Sequence, residues 1–500
     1  MNPSHGTGST MESLRIPPFV PNFIDGQDAR ARAGDCFVKR APSTGKPLTE
    51  VARSKADDVA SAIAAARRAQ PAWADATVVS RGDRLRAIAL GLRERQEEVA
   101  ALVAAETGKS LKDARGETGA AIEMGMFIAG EGRRFYGRTT TSAIPNKAAL
   151  TVRQPLGVAG LIIAANTPIA NVAWKVFPAL LCGNAAVLKA AEDTPLSAWA
   201  FARIASEAGL PAGVLNVVHG FGEEAGAPLV ESRDVNVISF TGSTAVGRYI
   251  AQAAGARLAK VCLELGGKNP LIVCDDANLD VAVEAAVLSA FSNAGQRCAA
   301  GSRLIVFDAV YEQFRERLLA RVAKLRVGGG DEDDFGPVIN EGQLEGMLSA
   351  VEAARRSGVT VLTGGTRLSG PGYDGGYFMA PTLLEDAAPD AEISRAELFG
   401  PISVLYRVAG FEEALAVAND SPYGLTASIH TDSVHRGMTF LNRVRSGVAV
   451  VNGATYGSEP HLPFGGLGDS GTGWREAGTE VLDVYSDWKT VYVNFDPRAV

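Results

Sequence analysis

FSNAGQRCAAGSRLIVF (residues 291–307) passes from a helical pattern, through small flexible residues, into a strand-like run that begins at Arg303. Helix, short connection and strand form one unit of an alternating α/β fold. The unit recurs on both sides. Upstream, strand-like runs at 158–164, 185–188, 214–218, 235–240 and 260–265 are separated by helical patterns. Alternation on this scale predicts a mostly parallel sheet covered by helices on both faces. A second alternating region, from about residue 270 to 471, contains PLIVC, RLIVF, ISVLYRV, LTASIHT and GVAVVN, and it carries the opening stretch. Ahead of both, residues 54–134 read as helices. Ser54 followed by Asp57 resembles a capping box, a second helix runs over 80–107, and a third starts near Ser110.

Two segments stand apart. TTTSAIPNKAALTVRQ (139–154) reads as a hairpin around a Pro-Asn turn, and DWKTVYVNF (487–495) is a terminal β run with no partner nearby in sequence. An exposed strand edge invites pairing with another chain. A net charge of −7 without a basic run argues against nucleic acid as a partner. Cys36, Cys182, Cys262, Cys274 and Cys298 are few, scattered and odd in number, which points to a reducing compartment, the cytoplasm, rather than a disulfide framework. With neither CxxC nor HExxH, no metal site is expected. The most apolar region, 157–188, is interrupted by Asn166, Pro168, Asn171 and Lys175, so no membrane span is expected. The first residues lack the apolar core of a signal peptide and read as a disordered tail, with Met11 as an alternative start.

The chemistry concentrates at a few positions. A lone cysteine is more often a small buried hydrophobe than a nucleophile, but Arg297 precedes Cys298 and a cationic neighbour favours thiolate. In VCLELGGKNP (261–270), Glu264 lies inside an apolar strand pattern. A carboxylate there is either paired, or desolvated and poised as a base. In FTGSTAVG (240–247) a strand ends, Gly242 permits a tight turn, and Ser243 and Thr244 open a helix whose N-terminus suits an anion. Gly220-Phe221-Gly222 misses the dinucleotide fingerprint by one position and reads as a turn before a helix.

ELGGKNP (264–270) and GQRC (295–298), with FTGSTAVG (240–247), ELFGP (397–401), NDSPYGL (419–425) and PFGG (463–466) in the same order, resemble the NAD(P)-dependent aldehyde dehydrogenase superfamily over residues 21–495. The resemblance implies two doubly wound, mostly parallel α/β domains. A variant Rossmann cofactor domain would span 1–138 and 155–265, and a catalytic domain 266–470. A small β oligomerisation extension, 139–154 and 471–495, would build a homodimer or homotetramer. It implies NAD as cofactor, with Gly242, Ser243 and Gly247 at the pyrophosphate and Lys189 and Glu192 at the adenine ribose. Leu265, Glu397 and Phe399 would lie toward the nicotinamide. Glu192 would disfavour the 2′-phosphate of NADP. Cys298 would be the nucleophile, Asn166 and the Cys298 backbone N–H the oxyanion donors, Glu264 the deacylating base, and Lys175 an aid to proton transfer. Apart from the resemblance, Lys189 and Glu192 read as exposed strand-end charges, Asn166 as a turn residue, Phe399 as core and Lys175 as a surface lysine. Pocket positions are Thr167, Asn171, Trp174, Arg297, Ala299, Ser458 and Phe464. Several are small or polar where the family carries bulky apolar groups: Ala164, Ala165 and Thr167 replace Pro, Trp and an aromatic, and Ala190 and Ala191 replace Pro-Ser near the ribose. The expected substrate is a small aldehyde, with a semialdehyde acid as the candidate that Arg297 favours. A CoA-acylating semialdehyde dehydrogenase is the nearest alternative, but that type lacks the glutamate at position 264. A non-catalytic protein on the same fold is the other, and Cys298, Glu264 and Asn166 together count against it.

Overall fold

The computed structural model describes residues 14–499; both candidate starts and residues 1–13 of the expected tail (1–18) lie outside them, while its last residues are held in place rather than disordered, Leu14 being buried with its N–H donating to Glu98 Oε2 at 2.7 Å. The chain builds two seven-stranded sheets and a separate three-stranded one beside a small N-terminal sheet. In the first large sheet the order is Lys260–Glu264, Val237–Thr241, Val158–Ile162, Ala185–Lys189, Leu215–Val218, Asn22–Ile24 and Gln27–Ala29. The first five are parallel and the last two antiparallel. Sequence order reverses between Val158–Ile162 and Val237–Thr241, and such a reversal opens a crevice at the carboxyl ends of the strands. Asn166 follows one of these strands and Gly242-Ser243 the other.

The second large sheet runs Thr360–Thr363, Thr382–Glu385, Ile402–Val408, Gly301–Phe307, Asn269–Val273, Thr426–His430 and Val448–Val451, parallel except for its first strand. Each predicted strand is present. Their continuous apolar character follows from burial on both faces, as in VAGLI and AAVLK, every residue of which is buried.

The helical block divides differently from expectation. Ala56–Asp75 is started one residue later than predicted: Asp58 Oδ2 accepts from the Lys55 N–H at 3.0 Å, while Ser54 Oγ is committed to Asn22 Oδ1 at 2.8 Å. The predicted helix over 80–107 is two, Val78–Glu94 and Gln96–Thr107, broken at Arg95, whose buried guanidinium reaches Glu207 at 2.8 Å. Leu111–Glu131 completes the block.

The hairpin is Arg138–Thr141 with Lys147–Pro155, turned through left-handed Asn146. The terminal strand Ser486–Asn494 finds its partner within the chain, antiparallel to Lys147–Pro155 in a register from Ser486↔Pro155 to Asn494↔Lys147. Ala477, Val481, Leu482, Val484 and Tyr485, just before it, are buried in the core of the first sheet, while Asp483 between them pairs with Arg153 of the hairpin at 2.6 Å.

Pro168–Leu181 is the central helix of that core. Phe177 meets Phe201 edge-on at 5.5 Å, and a Cβ on Gly125 would come within 2.6 Å of its ring. Replacing Phe177 with Ala should cost about 3–5 kcal/mol, because little can collapse into the gap. Urea unfolding checks this through the shift in midpoint.

Candidate active site

Cys298 lies in the loop between the turn Ser292–Gly295 and the strand Gly301–Phe307. Asn293, Ala294 and Gly295 all take left-handed φ, 54°, 55° and 67°. Two non-glycine residues there store backbone strain that the surroundings must hold. Gln296 supplies part of the hold: its Nε2 donates to Asn293 O (3.2 Å) and Pro337 O (3.3 Å), and its Oε1 accepts from Ile339 N (2.8 Å). Asn269 fixes the far side, with Nδ2 donating to Cys298 O (2.7 Å) and Ala300 O (2.9 Å). Burial pushes the Cys298 thiol up to about 12, and the charges of Glu397 and Glu264 add to it. Arg297 acts in the expected direction, downward, but desolvation outweighs it. The thiol is therefore protonated at neutral pH.

Glu264 ends its strand at 5% exposure, and neither carboxyl oxygen has a hydrogen-bond partner among the described residues. Of the two sequence readings, paired or desolvated, the second holds. Burial first, then the charge of Glu476, raises its pKa well above the carboxylate range, against Lys175 and Arg475. Lys175 is wholly buried, so the surface reading fails. Its Nζ donates to Ser239 Oγ (2.8 Å) and to Glu476 Oε1, to which Ser239 Oγ also donates (2.8 Å). Sequence reasoning missed Glu476 and Ser239. Glu476 sits among small and charged residues with no periodic pattern, and Ser239 is one residue of an otherwise apolar strand.

Asn166 is tied to the thiol loop. Its Nδ2 donates to Gln296 O (3.0 Å), its Oδ1 accepts from Asn171 Nδ2 (3.3 Å), and its carbonyl accepts from Asn293 Nδ2 (3.2 Å) and Lys109 Nζ (2.9 Å). Lys109 is buried and paired with Glu117 at 2.6 Å, and Glu117 Oε1 accepts from the Ile169 N–H at the start of Pro168–Leu181. These two were also missed, since both read as solvated helix charges.

The pocket residues divide. Thr167 and Asn171 adjoin Asn166, with Asn171 Nδ2 reaching Thr167 Oγ1 at 3.3 Å. Trp174 packs edge-on to Phe464 at 5.7 Å. Ala299 is buried under Thr455, whose hydroxyl donates to its carbonyl at 2.6 Å. Arg297 is half-buried against Ser292 and Tyr456. Ser458 is exposed on the loop beyond Tyr456.

The residues present fit a dinucleotide. Ser243 caps Thr244–Gly255 by accepting from Val246 N at 3.4 Å, and a helix N-terminus at this crevice favours anionic oxygen. A Cβ on Gly247 would meet the Leu265 side chain at 2.5 Å, so glycine seats the helix on Leu265. Lys189, at 4% side-chain exposure, is not the exposed charge of the alternative reading, and it binds Glu192 Oε2 at 2.9 Å. Burial raises the Glu192 pKa, but Lys189 outweighs it and the net shift is downward, leaving a carboxylate. Gly220 takes φ 134° ahead of a single helical turn, Gly222–Gly226, so GFG is a turn as expected. Glu397 Oε1 accepts from Gly267 N (2.9 Å), and a Cβ on Gly266 would stand 1.9 Å from its other oxygen. Burial lifts Glu397 to about 7, against the Gly267 bond and Lys268. Phe399 is half-buried with left-handed φ of 54°, which sets it apart from ordinary core. Among the described residues no three His, Cys, Asp or Glu form a metal-binding group, and no helix is long and apolar enough to cross a membrane.

The chain is 39% identical over 475 residues to an alpha-ketoglutaric semialdehyde dehydrogenase of Bacillus subtilis, covering 94% of this chain and 97% of the relative. It is 37% identical over 476 residues to an alpha-ketoglutarate semialdehyde dehydrogenase of Haloferax volcanii, covering 95% and 99%. The crystal structure of a Staphylococcus aureus betaine aldehyde dehydrogenase in complex with NAD+ superposes with a TM-score of 0.93 at 31% identity, covering 96% of this chain and 95% of that one. Residues 30–491 match the aldehyde dehydrogenase family, and the chain belongs to that family.

Proposed function

We propose that the chain oxidises an aldehyde to its carboxylic acid with NAD, through a thiohemiacetal and then a thioester on Cys298. The observation that carries this is one convergence. A protonated thiol, a desolvated carboxyl without a partner, and an amide bound to the thiol loop meet between the two large sheets.

The thiol gives its proton to solvent water as sulfur adds to the carbonyl carbon, whose π pair moves onto oxygen. The oxyanion that forms is met by the second N–H of Asn166 Nδ2 and by the Cys298 backbone N–H, a donor of this kind being worth ~3 kcal/mol. Ser243, Lys189, Glu192 and Glu397 would hold NAD, which would supply the hydride acceptor that turns the adduct into a thioester. Glu264 then takes a proton from the water that attacks the thioester; its raised pKa makes it a stronger base than an ordinary carboxylate. Of the buried pair close to it, Glu476 opposes the ionised form and Lys175 favours it. The fraction of ionised Glu264 grows with pH, so hydrolysis-limited turnover rises with pH through its raised pKa. Glu264 also sets this reading above CoA acylation, which needs no water-activating base. The two semialdehyde dehydrogenases, with Arg297 beside the thiol, support a semialdehyde acid as substrate. The free cysteines support a reducing compartment, the cytoplasm.

Glu264→Gln should give one rapid equivalent of NADH per site and then turnover slowed by roughly 100- to 10,000-fold, the usual contribution of a general base. Cys298→Ala should give no burst. Rapid-mixing absorbance with mass spectrometry of the quenched protein checks both, and normal turnover by Glu264→Gln without an acyl adduct on Cys298 counts against the assignment.

For the cofactor, the ionised Glu192 carboxylate repels a 2′-phosphate. The unmodified enzyme should prefer NAD, and Glu192→Ser should narrow that preference, as the ratio of kcat/KM for NAD and NADP reports.

The three-stranded sheet displays Trp488, Tyr492 and Val493 to solvent, which supports a homodimer or homotetramer joined there. Light scattering at micromolar concentration should find no active monomer.

A further inference from the structure

The turn that carries Asn166 takes its hold from elsewhere in the chain. Residues 163–167 join Val158–Ile162 to Pro168–Leu181, and Thr167 at the helix start makes no side-chain cap, with φ −138° and ψ 68°. The hold comes from the helical block. Lys109 follows Gln96–Thr107, and Glu117 lies in Leu111–Glu131. Their side chains are buried against each other, with Lys109 Nζ 2.6 Å from Glu117 Oε2. Each takes one end of the turn. Lys109 Nζ donates to Asn166 O at 2.9 Å, and Glu117 Oε1 accepts from Ile169 N at 3.0 Å and Ala170 N at 3.5 Å. The Asn166 carbonyl has a second donor, Asn293 Nδ2 at 3.2 Å, so helical block and thiol loop meet on one atom. Asn166 Nδ2 and Asn293 Nδ2 also share Gln296 O, at 3.0 and 3.2 Å. Glu106 offers a contrast. It takes the same place at Pro195–Glu207, on Leu196 N and Ser197 N, and its further bond comes from the Ser197 hydroxyl, within the helix it caps. The cap on Pro168–Leu181 is likewise architecture, but its further bond comes from a lysine that reaches past the helix to Asn166.

We propose that Lys109 and Glu117 are positioning residues for the oxyanion donor: they lock the Asn166 carbonyl and the first N–H groups of the helix behind it, and so aim the second Nδ2 hydrogen of Asn166 at the oxygen that sulfur addition charges. This rests on Asn166 serving the oxyanion formed on Cys298. Such a donor is effective when it already points to where charge develops, because no reorganisation is then left to the reaction. Asn166 stands on a turn, and a group on a turn needs neighbouring groups to fix its aim. Removing two charges from water is costly, and a buried pair is best placed where further hydrogen bonds satisfy both partners. Here those bonds fall on the turn itself. The pair touches Asn166 only through its main chain, so its effect belongs to carbonyl addition and not to the thiol.

The test uses the full chain with saturating NAD and propanal, the enzyme in excess, so that NADH formation reports a single turnover as far as the thioester. Lys109→Met should slow this phase about 10- to 100-fold, the order of loss that a misplacement near 1 Å brings. Asn166→Ala should slow it about 100- to 1,000-fold, as loss of one such donor does. Lys109→Met added to Asn166→Ala should slow it no further, because nothing is left to aim. Alkylation of Cys298 by iodoacetamide, which forms no oxyanion, and the Kd for NAD should stay within about 2-fold in Lys109→Met, the margin for independent sites. Should Lys109→Met fail to fold around a lone buried carboxylate, Lys109→Met/Glu117→Gln removes both charges, keeps an acceptor for Ile169 N, and carries the same expectations. An unchanged single-turnover rate, a further loss on Asn166→Ala as large as that in the single variant, or a matching fall in alkylation would overturn the proposal. If Asn166→Ala itself reacted at the unmodified rate, Asn166 would not be the oxyanion donor, and that reading would fall together with the proposal.

Discussion

The site depends on how tightly the chain crosses from one large sheet to the other. Lys260–Glu264 ends the first sheet and Asn269–Val273 begins in the second, with only residues 265–268 between them. Every one of the four is in close approach to something the chemistry uses. Leu265 lies under Gly247, and Gly266 lies against the Glu397 carboxylate. A Cβ on Gly267 would stand 2.6 Å from Cys298 O, and Lys268 Nζ donates to Ala396 O at 2.7 Å. A side chain on either glycine would displace Glu397 or the thiol loop. The same crossing thus sets the spacing between Glu264, Cys298 and Glu397, the proposed base, nucleophile and cofactor-side carboxyl, and rigid placement of this kind is what lets positioned groups act together.

Buried carboxyls serve two purposes here, and their partners separate them. Glu117 accepts from Ile169 N at the start of Pro168–Leu181, and Glu106 accepts from Leu196 N and Ser197 N at the start of Pro195–Glu207. Both helices open with Thr-Pro, neither threonine side chain caps, and a carboxyl from the helical block takes that place. These carboxyls have their acceptor positions filled and serve architecture. Among the described residues Glu264 has no such partner. An unpartnered buried carboxyl costs stability, and its place at the meeting point of thiol and crevice supports the proposed role as base.

The alternating strands and helices were legible because burial on both sheet faces writes continuous apolar runs into the sequence. The hairpin was legible from Pro145-Asn146, since asparagine tolerates the left-handed turn it occupies. Less legible were features set by competition between distant groups. Ser54 looked like a cap until Asn22 took its hydroxyl. Arg95 broke a helix to reach Glu207, more than a hundred residues away. Cys298, Glu264 and Asn166 could be found through motifs of small residues around them. Glu476, Ser239, Lys109 and Glu117 could not, because a buried charge far from its partner in sequence is written like a surface one. The effect of Arg297 on the thiol was read with the right sign, but sequence carries no measure of the desolvation that opposes it.

That desolvation acts on both the thiol and Glu264. Burial raises both groups, and the charges of Glu397 and then Glu264 add to the rise at the thiol. A resting thiolate beside a resting carboxylate is the costly state. In the proposed addition the negative charge does not stay on sulfur; it passes to the carbonyl oxygen, where Asn166 Nδ2 and a backbone N–H can meet it. In the proposed hydrolysis the sulfur is acylated and neutral, so the charge to be accommodated at that step is that of Glu264, with burial and Glu476 opposing it and Lys175 favouring it.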